Sequence, residues 1–93
     1  MEKDLQTPAV KDLYQAILKL ENTSECERFF RDLCTLSEIK TLAERWAVAR
    51  KLNDKVPYRK IYEQTGVSTA TVTRIAHWLH HGNGGYQLVL DKM

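Results

Sequence analysis

Residues 57–76 read PYRKIYEQTGVSTATVTRIA, and the groups in this run are suited to recognition rather than bond-making. A glycine turn is followed by Ser68, which can cap a new helix, and the first helical turns then carry Thr69, Ala70 and Thr73. These side chains are small enough to approach base edges, their methyls can touch thymine, and their hydroxyls can donate or accept. Arg59 and Lys60 precede the turn and can grip phosphates, as can Ser68 and Arg74. Ile61, Val67, Val72 and Ile75 are spaced to pack beneath the turn, and Gly66 permits its sharp reversal. An ordinary helical hairpin with a serine cap would share part of this pattern. Turn, cap, core and surface rules are met together, which favours a helix-turn-helix over residues 57–81 whose second helix enters the DNA major groove. One departure stands out: four residues before Gly66, many helix-turn-helices carry Ala or Gly, whereas this chain carries Tyr62. Either the two helices cross more openly or Tyr62 points outward.

Other reactive residues argue for less. His77 and His81 are one helical turn apart, and His80 is beside them, but two ligands do not complete a metal site. No metal centre is expected. Partial protonation near a helix C-terminus, or contact with DNA, is the simpler role for the cluster. Cys26 and Cys34 are eight residues apart, about 12 Å along one helix, too far to bridge. Both fall on an apolar stripe and read as packing residues. Tyr58, Tyr62 and Trp78 near basic residues would also suit stacking on single-stranded bases, a minor alternative. There is no paired-carboxylate, nucleophile–base or phosphate-cradle pattern, so neither catalysis nor a cofactor is expected.

The elements that must position these groups are helices. Val10, Leu13, Tyr14, Ile17 and Leu18 form the first stripe at steps of three and four, with Thr7 as cap and Pro8 in the first turn. Cys26, Phe29, Phe30, Leu33 and Cys34 form the second, with Ser24 and Glu27 as a capping box. A box of Thr35 and Glu38 starts a long helix at Leu36 that runs to about Asn53, with Leu36, Ile39, Leu42, Ala43, Trp46, Ala49 and Leu52 inward. A short helix from Pro57 to Gln64 and another from Ser68 to about His81 complete the central motif. Val72, Ile75, Ala76 and Leu79 form the inner face of the latter. Gly82 to Gly85 break the chain, and a last helix follows from Tyr86. The expected fold is all-α, about six short helices in a single domain over residues 1–93.

With 93 residues, 43% hydrophobic and 28% charged, the composition is that of a soluble globular domain. No apolar run could span a bilayer, and the charged N-terminus does not read as a secretory signal, so a cytoplasmic protein is expected. Residues 1–38 balance to −3 and residues 39–82 to +5, an asymmetry in keeping with nucleic-acid binding. Six short helices bury little surface alone, and a tightly associated dimer would supply more core.

From Leu33 to Leu79 the chain resembles the tryptophan repressor and its relatives among small bacterial regulators. The resemblance is carried by Leu33-Cys34-Thr35, Ser37-Glu38, Leu42, Arg45, Ile61, Gly66 and Ala70-Thr71-Val72-Thr73-Arg74. It implies an interlocked homodimer that represses transcription from a palindromic double-stranded operator, one recognition helix per half-site. It also implies an effector pocket in which Thr35, Arg45 and Arg74 match the family's residues. Two positions depart. Ile75 stands where the tryptophan repressor leaves glycine space for an indole, and Trp78 where it has a serine for the amino group. Free L-tryptophan is therefore not expected as corepressor; Ile75 or Trp78 would fill the cleft and hold the recognition helix ready for DNA. The rival reading is a protein–protein interaction module or adaptor that reuses the fold.

Overall fold

Local caps and turns set most element boundaries in the computed structural model, which describes residues 2–93. Among the described residues there are six α-helices and one short 3-10 turn, and no strand. The all-α expectation holds. The chain divides into two compact units that meet at Leu36 and Ser37.

The first unit opens with the 3-10 turn Lys3–Leu5, followed by α1 (Pro8–Ile17) and α2 (Thr23–Leu33). Thr7 caps α1 by accepting from the Val10 N–H at 3.2 Å, and Pro8 occupies the first turn, where a missing N–H costs nothing. The start of α2 differs from the Ser24–Glu27 box. Asn22 Oδ1 accepts from the Glu25 N–H at 2.9 Å, and Glu25 Oε1 accepts from the Glu21 N–H at 2.9 Å. Asn caps as well as Ser does, so the earlier residue wins and both serine and glutamate fall inside the helix. Cys34 is not helical either: it is the extended residue after α2, and its carbonyl accepts from Arg31 Nη1 at 3.3 Å. Phe29 and Phe30 meet edge to face at 5.7 Å between centroids. No residue of α1 or α2 is buried, although both apolar stripes have helical spacing.

The second unit contains α3 (Leu36–Asn53) from Ser37 onward, α4 (Tyr58–Thr65), α5 (Thr69–His81) and α6 (Gly85–Leu90). Its core is small and continuous. Val48 and Ala49 of α3, Ile61 of α4, Val67 of the turn and Val72 and Ile75 of α5 pack together, with Trp46, Leu52, Val56 and Tyr86 at the margin. Only the second half of α3 contributes buried residues. Leu36 and Leu42, expected inward, are 66% and 47% exposed, and the buried residues of α3 are Val48 and Ala49.

The end of α3 has a left-handed cap. Lys55 takes φ +61°, its N–H donates to the Leu52 carbonyl, and the Val56 N–H reaches back to the Lys51 carbonyl, both at 3.0 Å. This is a Schellman closure with lysine where glycine is usual. Pro57 then lies just outside α4 as its N-cap residue, one position earlier than the sequence implies, and its carbonyl accepts from the Ile61 N–H at 3.0 Å. Trp46 stacks on Tyr86 at 6.3 Å between centroids and ties α6 to α3.

Candidate nucleic-acid interface

The turn between α4 and α5 is built by three residues. Gly66 caps α4 at φ +74°, and its N–H donates to the Tyr62 carbonyl at 2.8 Å. Thr65 Oγ1 donates to the Ile61 carbonyl at 2.6 Å and accepts from the Val67 N–H at 3.1 Å, which clamps the chain as it reverses. Ser68 Oγ accepts from the Thr71 N–H at 3.2 Å and starts α5 as the sequence implies. Ile61, Val67, Val72, Ile75, Ala76 and Leu79 are all buried, so the inner face of the helix-turn-helix is the one read from spacing. Tyr62 is 51% exposed: of the two readings of that departure, the outward ring is the observed one.

With α5 anchored on that side, its opposite face is open. Thr69, Ala70, Thr73 and His77 lie along it, and all are exposed. Arg59 and Lys60 stand exposed on α4, and Arg59 Nε lies 3.5 Å from Glu63 Oε1, one turn on. A pair this exposed is worth little and leaves the guanidinium available to another anion. Lys51 Nζ donates to Gln64 Oε1 at 2.9 Å and links α3 to the end of α4.

A cleft lies between α3 and α5. Thr41, Glu44 and Arg45 form one wall, Thr71, Arg74, Ile75 and Trp78 the other, and Val67 contributes from the turn; its volume is ≈200 Å³. Small-molecule sites commonly enclose roughly 300–1,000 Å³. The Arg45 guanidinium sits over the Trp78 ring, 5.7 Å from its centroid, a cation–π contact that joins the two walls. Ile75 is 1% exposed and packs into the core, while Trp78 is 40% exposed and lines the cleft. Arg45 and Arg74 thus come together at one site, whereas Thr35 belongs to the first unit, where it is exposed. Thr41 and Glu44 were not singled out from the sequence, and Thr71 was named only within the run of residues 70–74 and not as a cleft residue. A signal existed, since residues 71, 74, 75 and 78 follow the three-and-four spacing of a single helix flank.

Burial pushes the Tyr86 phenol above its usual range, and the nearby Arg45 charge partly opposes that shift. The His77 and His81 rings are 5.3 Å apart on the last turns of α5, and His80 lies 6.4 Å from His81. Among the described residues no three metal-ligating side chains converge.

Several known proteins are similar to this chain in sequence or in fold. The family model described as Trp repressor protein matches residues 9–93. The uncharacterized protein YerC of Bacillus subtilis strain 168 is 44% identical over 89 residues, which is 96% of this chain and 86% of that protein. The crystal structure of a TrpR like protein from Eubacterium eligens ATCC 27750 superposes with a TM-score of 0.94 at 43% identity, covering 98% of this chain and 94% of that one. A provisionally assigned Trp repressor from Staphylococcus aureus superposes at 0.92 with 42% identity, covering 98% and 91%.

Proposed function

The chain belongs to the Trp repressor family, and on that premise we propose that it is a transcriptional regulator that binds double-stranded DNA as a homodimer on a palindromic operator. One observation carries the reading. α5 is anchored through Val72, Ile75, Ala76 and Leu79, while its first turns present Thr69, Ala70 and Thr73 outward. That is what a recognition helix needs: a rigid seat on one side and small base-reading groups on the other. In this reading Arg59, Lys60, Ser68 and Arg74 contact phosphates and set the docking angle, while Thr69, Ala70 and Thr73 touch bases.

The dimer is supported by what the single chain leaves uncovered. α1 and α2 bury no residue, and Leu18, Leu33, Leu36 and Leu42 are each at least 47% exposed. A second copy covering these stripes would supply the missing core and join residues 1–93 into one working domain. Among the described residues no helix is long and apolar enough to cross a membrane, and we place the protein in the cytoplasm with the DNA it reads. The family is normally non-enzymatic, and the reading requires no catalysis.

We further propose that L-tryptophan is not its corepressor. The cleft between Arg45 and Arg74 is small, Ile75 closes its floor, and Trp78 already lies beneath the Arg45 guanidinium. The contact between α3 and α5 that an effector would bridge is made by the chain's own indole. Selection from a random pool of duplexes at physiological salt, with no ligand added, tests both parts. The expected result is an enriched palindrome with half-sites about 10–10.5 base pairs apart. No enrichment without ligand, followed by enrichment with L-tryptophan, would overturn the effector-free part. No enrichment in either case would overturn DNA reading.

A further inference from the structure

The exposed strip of α5 has an unusual chemical restriction. Between Ser68 and Thr73 there is no Arg, Lys, Asn or Gln. Bidentate reading of guanine takes Arg or Lys, and of adenine Asn or Gln, so neither contact is open to the first turns of this helix. The hydroxyls present are partly engaged within the protein. Ser68 Oγ accepts from the Thr71 N–H at 3.2 Å and donates to Thr71 Oγ1 at 3.0 Å. Thr73 Oγ1 donates to the Thr69 carbonyl at 2.9 Å, so its proton is used and its oxygen faces any partner as an acceptor. Arg74, the first cation of the helix, lies on the flank that lines the cleft with Arg45 and Trp78. His77 is the next polar group on the open face, a full turn beyond Thr73 and away from the N-terminal turns that reach base edges.

What remains to read bases is the Ala70 methyl, the γ-methyls of Thr69 and Thr73, the Thr69 hydroxyl, and the Thr73 acceptor. Resting on the DNA-binding reading above, we propose that α5 recognises thymine C5-methyl groups and that the half-site facing it is built of A·T pairs. A single A·T pair meets both needs, since thymine offers the methyl and adenine N6 offers a donor to the Thr73 oxygen. A G·C pair presents the same number of acceptors and, at cytosine N4, a donor as well, but it offers no methyl, so the methyl is the group by which this strip tells the two pairs apart. Thr69, Ala70 and Thr73 are thus the specificity-determining residues, acting mainly through apolar contact.

Thymine-to-uracil exchange removes only the methyl and tests this directly. The best duplex from the random pool is resynthesised with uracil at each thymine in turn, and affinities are measured with the full-length protein. Affinity should fall about fourfold for each contacted methyl, the factor expected for burial of one such group. Ala70→Gly and Thr73→Ser each delete one protein methyl, and each should abolish uracil sensitivity at one matching thymine. Melting curves verify that both variants are folded. A selected half-site of G·C pairs opposite α5, or uracil tolerated at every thymine, would overturn methyl readout while leaving DNA binding intact. A pool with no enriched sequence would remove the DNA-binding reading itself, and this proposal with it.

Discussion

Two residues near the helix-turn-helix hold the same left-handed backbone at opposite cost. Gly66, at φ +74°, has no atom within 4 Å of where a Cβ would stand, so a substitution there meets backbone strain alone. Gly66→Ala should destabilise the chain by about 1–2 kcal/mol, the penalty for an L-residue in this region, as read from denaturant melts. Lys55 already bears that strain at φ +61°. Lys55→Gly should raise stability by about 0.5–1 kcal/mol, because the relieved strain exceeds the entropy lost on ordering a glycine. If the two substitutions shift the melts in the same direction, the backbone assignment fails. Among the surface cations, Lys60 is exposed on α4, ahead of the turn and outside the α5 strip proposed to touch bases. Lys60→Ala should weaken binding to all duplexes about equally and lower the salt slope by ~0.9. A changed sequence preference in that variant would instead make Lys60 a base contact.

At the level of elements, caps fixed by neighbouring residues were legible and choices between rival caps were not. Thr7 and Ser68 each have one cap partner within reach, and both were readable. Asn22 and Ser24 are both competent caps for the start of α2; Asn22 takes the role by accepting from the Glu25 N–H, while Glu25 accepts from the Glu21 N–H. The seat of α6 was not readable at all, since it depends on Tyr86 stacking on Trp46 forty residues earlier in the chain. That contact has a pH signature. Burial raises the Tyr86 pKa above its model-compound value of 10.0, so the fold favours the neutral phenol. Its contribution is fully present below pH 10.0 and is lost as pH rises through the folded-state pKa. Stability measured by denaturant melts should therefore decline at alkaline pH, and Tyr86→Phe should flatten that decline. An unchanged alkaline slope in the phenylalanine variant would place the titrating group elsewhere.

For the whole molecule, the decisive feature is that its apolar stripes hold more residues than the single chain buries. The stripes of α1, α2 and the first half of α3 have helical spacing, yet Leu18 is 74% and Leu36 66% exposed. Sedimentation should therefore give the mass of two chains, and Leu42→Glu should shift it towards one chain with loss of DNA binding. A wild-type monomer at micromolar concentration would overturn this assembly. Calorimetric titration with L-tryptophan should give no micromolar isotherm, because Ile75 and Trp78 occupy the cleft walls. By itself the sequence determined the helix-turn-helix, since Gly66, Ser68 and the Ile61–Val67–Val72–Ile75 spacing act through contacts a few residues apart. The resemblance to the family set the expectation that Ile75 or Trp78 fills the ligand cleft, and the structure places both residues in the lining of the cleft between α3 and α5. Only the tertiary structure decided that Trp78 meets the Arg45 guanidinium, that the Tyr62 ring is exposed, and that α3 is buried in its second half alone. Helical periodicity marks which residues share a face but not which neighbour covers it, and that depends on contacts between segments far apart in the chain.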